Sequence, residues 1–224
     1  MNIDFAELRR KMVDNQIRTV DVTRLSVLSA FLGIPREAFV PQNIRELAYV
    51  DEHLMVVAGK DDGPARYIMA PASLAMLVQF ADIDKNDFVL VIGANTGYCA
   101  AVLSQLAGSV IALESNTNLA KTAAETLAVT DCDNVAVVTG ELADGYAEQA
   151  PYDVIFIEGA VDLVPEALFR QLREGGRLVV VEGHGNAGVA CLYVLEDNVI
   201  SMRRGFNLAV KPLPGLLREA EFTF

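Results

Sequence analysis

The 224-residue chain is 52% apolar and carries 18 basic against 30 acidic side chains, a net charge of −12. A chain this apolar can build a large core and does not read as disordered, and so acidic a surface argues against non-specific binding to nucleic acid or to an anionic membrane. No apolar run approaches the ~18 residues of a membrane span, and three scattered cysteines (Cys99, Cys132, Cys191) with two isolated histidines (His53, His184) offer no zinc-ligand spacing, so no metal is expected.

Phe5, Leu8, Met12 and Ile17 fall close to helical spacing and predict a helix over 4–18. Asp21 is placed to cap a second helix through Leu25, Leu28 and Phe31, closed by Gly33 and Pro35. Residues 41–68 read as irregular, with Pro41, Gly59, Asp61, Asp62, Gly63 and Pro64 as turn formers. Pro71 starts a helix through Leu74, Leu77 and Val78. Strands and helices then alternate: Phe88–Ile92 strand, Tyr98–Ala107 helix, Val110–Leu113 strand, and a helix capped by Ser115 or Asn116 that runs to about Val129. Next come strands at Val135–Val138 and Asp153–Ile157, a helix at Pro165–Arg173 and a strand at Arg177–Val181. Leu192–Leu195, Ile200–Arg203 and Leu208–Leu213 follow without helices between them and predict antiparallel strands. The expectation is one domain, 1–224, with a helical and loop-rich segment over 1–79 and an α/β core over 80–224. The three cysteines read as buried hydrophobes of a reducing compartment, and the charged start MNIDFAELRRKMVDN does not read as a secretory signal, so a cytoplasmic protein is expected, monomer or homodimer.

Residues 88–98, FVLVIGANTGY, carry the chemistry. A buried strand stops at Gly93, and a loop of small residues leads into a helix, a turn that brings backbone close to a ligand. The next strand ends on Glu114, 114 − 93 = 21 residues on, near the ~20 expected of an acid that holds a ribose hydroxyl. A dinucleotide loop reads G-x-G-x-x-G. Here Asn95 stands at the middle position and Gly97 comes one residue early, which suits S-adenosylmethionine, a nucleoside with no pyrophosphate to cradle. Asn tolerates positive φ, so the turn survives at 95. Ligands of open α/β sheets sit at the carboxyl ends of the strands. The expected cofactor shell is therefore Gly93, Ala94, Asn95, Thr96, Gly97, Tyr98, Glu114, Ser115, Glu141, Leu142 and Glu158.

Further motifs add a resemblance. Met12-Val-Asp-Asn-Gln-Ile17, Ile34-Pro-Arg-Glu-Ala-Phe-Val-Pro41, Ala48-Tyr-Val-Asp51, GANTGY, Ala150-Pro-Tyr-Asp153, Pro165-Glu-Ala-Leu168 and Gln171-Leu-Arg-Glu-Gly-Gly-Arg-Leu-Val179 together closely resemble protein-L-isoaspartate O-methyltransferases, almost end to end. The resemblance implies a Rossmann-like methyltransferase fold, a seven-stranded, mostly parallel sheet with helices on both faces. It also implies S-adenosylmethionine as cofactor and methylation of the free α-carboxylate of isoaspartyl residues in proteins or peptides, a small carboxylate being the simpler acceptor. It makes Gly93, Gly97 and Glu114 cofactor residues and turns the segment before Pro71 toward the acceptor. There the family typically reads Gly-Gln-Thr-Ile-Ser-Gln-Pro, and this chain reads Ala65-Arg66-Tyr67-Ile68-Met69-Ala70-Pro71. Val91 and Glu158 likewise replace an acid and a threonine. Arg66, Tyr67 and Met69 are the acceptor-side candidates: a guanidinium to clamp a carboxylate, a ring to wall the cofactor, a thioether as filler. The changed residues keep two alternatives open, a different acceptor and a catalytically inactive homologue that binds cofactor.

Overall fold

The computed structural model describes residues 3–59, 64–183 and 185–217, so His184 lies outside it. Helix α1 (Phe5–Met12) is capped by Asp4, whose carboxylate accepts from the Glu7 amide at 2.9 Å. The predicted helix to residue 18 does not stay α-helical: Val13–Ile17 widens into π-type turns, Arg18–Val20 tightens into 3-10, and Asp21 stops the chain at φ 59. Asp21 is therefore the end of the first helix, not the cap of the second. Helix α2 (Leu25–Gly33) has its entry held from elsewhere, the Gln79 side-chain oxygen accepting from Thr23 and Arg24 amides at 2.9 and 3.0 Å.

The irregular reading of 41–68 also needs correction. Strands β1 (Leu54–Val57) and β2 (Arg66–Ile68) pair antiparallel, Leu54 opposite Ile68. These strands are four and three residues long, too short to show a period against the turn formers between them. Helix α3 (Pro71–Ala81) begins on its proline as predicted.

The remaining elements are β3 (Phe88–Ile92), α4 (Tyr98–Ser104), β4 (Ser109–Glu114), α5 (Thr117–Val129), β5 (Val135–Thr139), β6 (Tyr152–Val161), α6 (Glu166–Phe169), β7 (Leu172–Glu182), β8 (Val189–Glu196) and β9 (Val199–Asn207). They form a seven-stranded sheet in the order β5-β4-β3-β6-β7-β8-β9, with β5 to β7 mutually parallel and β8 and β9 antiparallel to their neighbours. The predicted helix at 165–173 shrinks to one turn, because Leu172 already pairs with Tyr152 at the start of β7. The predicted strand at 208–213 is absent. Pro212 interrupts it, and among the described residues its pairing with the sheet is reduced to an isolated bridge between Ala160 and Pro212.

Period-2 alternation sorts the core onto two faces. Val89, Val91, Ala112 and Phe156 face the N-terminal helices, α3, α4 and α5, in one cluster with Met12, Phe31 and Phe39. Leu90, Ile92, Leu113 and Ile157 face the other way and pack with α6 and with Leu213 and Leu216 of the C-terminal segment. The ends of β3, β4 and β6 thus converge at the middle of the sheet, where the strand order reverses.

Candidate cofactor crevice

Gly93 leaves β3 at φ 81, Asn95 sits at φ 56 and Gly97 at φ 97, so the turn adopts left-handed backbone three times in five residues. Asn95 tolerates this as expected. The Gly93 and Ala94 amides both donate to the Leu113 carbonyl, at 2.9 and 3.0 Å, which bolts the turn to the end of β4. A Cβ on Gly97 would come within 3.3 Å of Ala123 and Leu127, so only glycine lets α5 pack this closely.

Glu114, at the end of β4, is fully buried. Its Oε2 accepts from the Asn95 amide at 2.7 Å, and its Oε1 from the Asn116 amide at 2.9 Å and the Ser115 hydroxyl at 3.4 Å. The remaining partner is Arg66. Its two terminal nitrogens donate to Oε1 and Oε2 at 2.5 and 2.7 Å, a parallel two-pronged pair shielded from water. Arg66 therefore does not offer its guanidinium to an acceptor, because β2 carries it across to the end of β4. Of the other acceptor-side candidates, Met69 is buried in the core, and Tyr67 is half-buried with the Lys211 ammonium 5.2 Å from its ring centroid.

Glu158, in β6, is the second buried carboxyl at this end of the sheet, and its Oε2 has no partner among the described residues. Burial lifts it well above the usual carboxylate range; the nearby Arg66 and Arg36 pull it down and Glu114 pushes it up further. An acid raised in the folded state contributes its full stability below the ordinary carboxylate range and loses it as pH rises through the raised value. Glu158→Gln is accordingly expected to gain stability relative to the parent as pH goes from about 4 to 8. Urea titrations of both proteins across that range check it, and a constant difference would contradict it.

The other shell candidates divide. Asn95 and Thr96 are buried, and their side-chain oxygens lack partners among the described residues, which leaves polar atoms for a ligand. Glu141 and Ser115 are exposed, whereas Leu142 is buried under the sheet with Leu113. Tyr98 turns away from the crevice. Its ring packs edge-on to Phe31 and Phe39, with centroids 6.3 and 5.7 Å away, and lies 4.7 Å beneath the Arg36 guanidinium carbon. Arg36 went unread in the sequence. It is fully buried and donates to the carbonyls of Ala48 and Met69 at 2.7 and 2.8 Å, tying the N-terminal segment to the strand that bears Arg66. A lone arginine inside the apolar run 34–41 was the available signal.

Leu213 was also missed. A Cβ built on Gly93 would lie 2.7 Å from its Cδ1, and one on Gly159 2.7 Å from its Cβ, so this side chain covers the ends of β3 and β6. As arranged, the acid that would grip a sugar has both oxygens engaged, and Leu213 packs over the turn.

A family model described as Protein-L-isoaspartate(D-aspartate) O-methyltransferase matches residues 7–208. The chain belongs to this family. Among its relatives, the protein-L-isoaspartate O-methyltransferase of Koribacter versatilis is 37% identical over 200 residues, covering 89% of this chain and 86% of that one. The relative from a Roseiflexus species is 32% identical over 213 residues, 95% of this chain and 94% of the other. A solved protein-L-isoaspartate O-methyltransferase superposes with a TM-score of 0.81 at 28% identity, over 93% of this chain and 67% of its own. The fold alone is shared with a putative family member from Plasmodium falciparum solved with S-adenosyl-L-homocysteine, TM-score 0.75 at 16% identity, over 96% of this chain and 100% of that one. Family membership settles the Rossmann-like reading, the seven-stranded sheet included. In this chain the Arg66–Glu114 pair stands where the resemblance places a cofactor contact.

Proposed function

We propose that this chain is an S-adenosylmethionine-dependent O-methyltransferase acting on the free α-carboxylate of isoaspartyl residues in proteins or peptides. The observation that carries the reading is the match over 7–208 to that family, on a chain whose β3–α4 turn keeps left-handed backbone at Gly93, Asn95 and Gly97. Such an acceptor asks for no general base, because an α-carboxylate with a pKa near ~3.5 is ionised at neutral pH. That accords with His53, which lines a small cavity with Glu158 and Gly159 and is engaged at both ring nitrogens. Nδ1 accepts from the Ala70 amide at 3.2 Å and Nε2 donates to the Ala209 carbonyl at 3.1 Å. Three unpaired, buried cysteines favour a reducing compartment such as the cytoplasm, and among the described residues no helix is long and apolar enough to cross a membrane.

The test is transfer of labelled methyl groups to a peptide with one isoaspartyl residue and to its aspartyl twin. A base-labile methyl ester on the isoaspartyl peptide only is the expected product. Methylation of another acid, with none on this peptide, would replace the acceptor. That second reading draws on Met69 and Glu158, both buried where the family pattern has smaller hydroxyl residues.

A further inference from the structure

We propose that the crevice of this protein holds its own occupant: Arg66 stands in for a sugar at Glu114, Leu213 fills the space over Gly93 and Gly159, and a nucleoside enters only when both give way. The inference rests on the methyltransferase reading above and goes beyond it. A ribose offers a carboxylate two neighbouring hydroxyl donors. The Arg66 guanidinium offers two parallel N–H donors with a full positive charge, at 2.5 and 2.7 Å. Either donor set makes hydrogen bonds assisted by the carboxylate's charge, but only the guanidinium adds an opposite full charge, whose attraction grows in a dry site, so neutral hydroxyls compete poorly for an acid already paired there.

The second occupant is independent of the first. Leu213 is 3% exposed and packs in one cluster with Ile92 and Leu113, the last apolar residues of β3 and β4, and with Ile157 of β6. Its segment is fastened in place. The Ala160 amide donates to the Lys211 carbonyl at 2.9 Å, the Leu213 amide to the Ala160 carbonyl at 2.8 Å, and the Asp162 amide to the Leu216 carbonyl at 3.2 Å. The open space beside Arg66 is a cavity of about 180 Å³ lined also by Pro64, Ser115, Asn116 and Pro214. Ligand pockets begin at roughly 300 Å³. The room for a nucleoside bearing an amino-acid arm must therefore come from moving Arg66 and Leu213.

The experiment is calorimetric titration of S-adenosylhomocysteine into the full chain, Arg66→Gln and the double variant Arg66→Gln/Leu213→Ala. Glutamine keeps one donor for Glu114 without the charge. The expected result is at least ten-fold tighter binding to Arg66→Gln than to the parent, and tighter still to the double variant. Because these variants alter buried residues, hydrogen exchange of the unaltered chain is followed in parallel. Saturating S-adenosylhomocysteine is expected to speed exchange at the amides of Ala160, Asp162, Leu213 and Leu216, which ligands normally slow. Faster exchange there supports the inference even if a variant fails to fold. Equal affinity of parent and variants, or unaltered exchange with ligand bound, overturns the internal occupant and leaves the methyltransferase reading standing. No binding by any of the three proteins overturns both.

Discussion

Glu114→Ala is expected to lower the unfolding free energy by about 3–5 kcal/mol, the range for removing one partner of a buried ion pair. The carboxylate is fully buried, and its removal strands the Arg66 guanidinium, itself 5% exposed, together with the Asn95 and Asn116 amides. The Asn95 amide cannot turn to water without opening the turn at 93–97. The pair is shielded, so salt up to about 0.5 M should leave the difference unchanged, whereas exposed pairs are screened within a Debye length. Glu166→Ala is the contrast. Its partner Arg170 lies at 2.7 Å, yet the two side chains are 79% and 70% exposed, and pairs of that kind contribute about 0–1 kcal/mol. Urea unfolding followed by circular dichroism, with matching slopes, measures both variants. Replacing the pair together, as Arg66→Met/Glu114→Leu, should recover most of the loss, because apolar residues of similar volume often equal or exceed a buried ion pair in stability. A loss below about 1 kcal/mol for Glu114→Ala would mean that the pair is not closed to water in solution, and the internal occupant would lose its grip on the sugar site.

That pairing also shows where sequence reasoning stops. The strand-turn-helix at 88–98 and the acid at 114 were legible because both are local: a run of apolar residues, small residues at the turn, and a fixed offset to the next strand end. The alternation that gives the parallel sheet was legible for the same reason. Arg66 was legible only as a residue type. Its charge suggested an acceptor clamp, but its partner is 48 positions away and is reached through a hairpin whose strands, at four and three residues, are below the length at which a period shows. Leu213 belonged to an apolar stretch that looked like a strand. Pro212 denies it a ladder, and the same apolar character sends Leu213 onto Gly93 and Gly159 instead. The sequence places Tyr98 among the cofactor residues because it adjoins the turn. A residue at the first position of a helix has its backbone at the crevice and its side chain wherever the helix face points, and here that face is the N-terminal segment.

Tyr98→Ala is the second large effect, with an expected cost of about 3–5 kcal/mol for deleting a fully buried aromatic side chain. The ring fills the joint between the sheet and residues 25–40. Phe31 and Phe39 meet it edge-on, and Arg36 lies over its face at 4.7 Å. Alanine would leave the Arg36 cation over a void while it remains hydrogen-bonded to Ala48 and Met69, so the loss includes a cation–π contact in a desolvated place, about 2 kcal/mol at the upper end. Tyr98→Phe keeps the ring and should stay within about 1 kcal/mol of the parent. Urea unfolding measures the cost, and hydrogen exchange locates it: α2 should lose protection in Tyr98→Ala before β3 and β4 do, because α2 packs on the ring and the strands do not depend on it. The phenylalanine variant also separates the two roles this residue could have had. If its side chain only joins the N-terminal segment to the sheet, Tyr98→Phe binds S-adenosylhomocysteine as the parent does. A weakened Tyr98→Phe would return the hydroxyl to the crevice and require the turn to hold its helix in a different rotation.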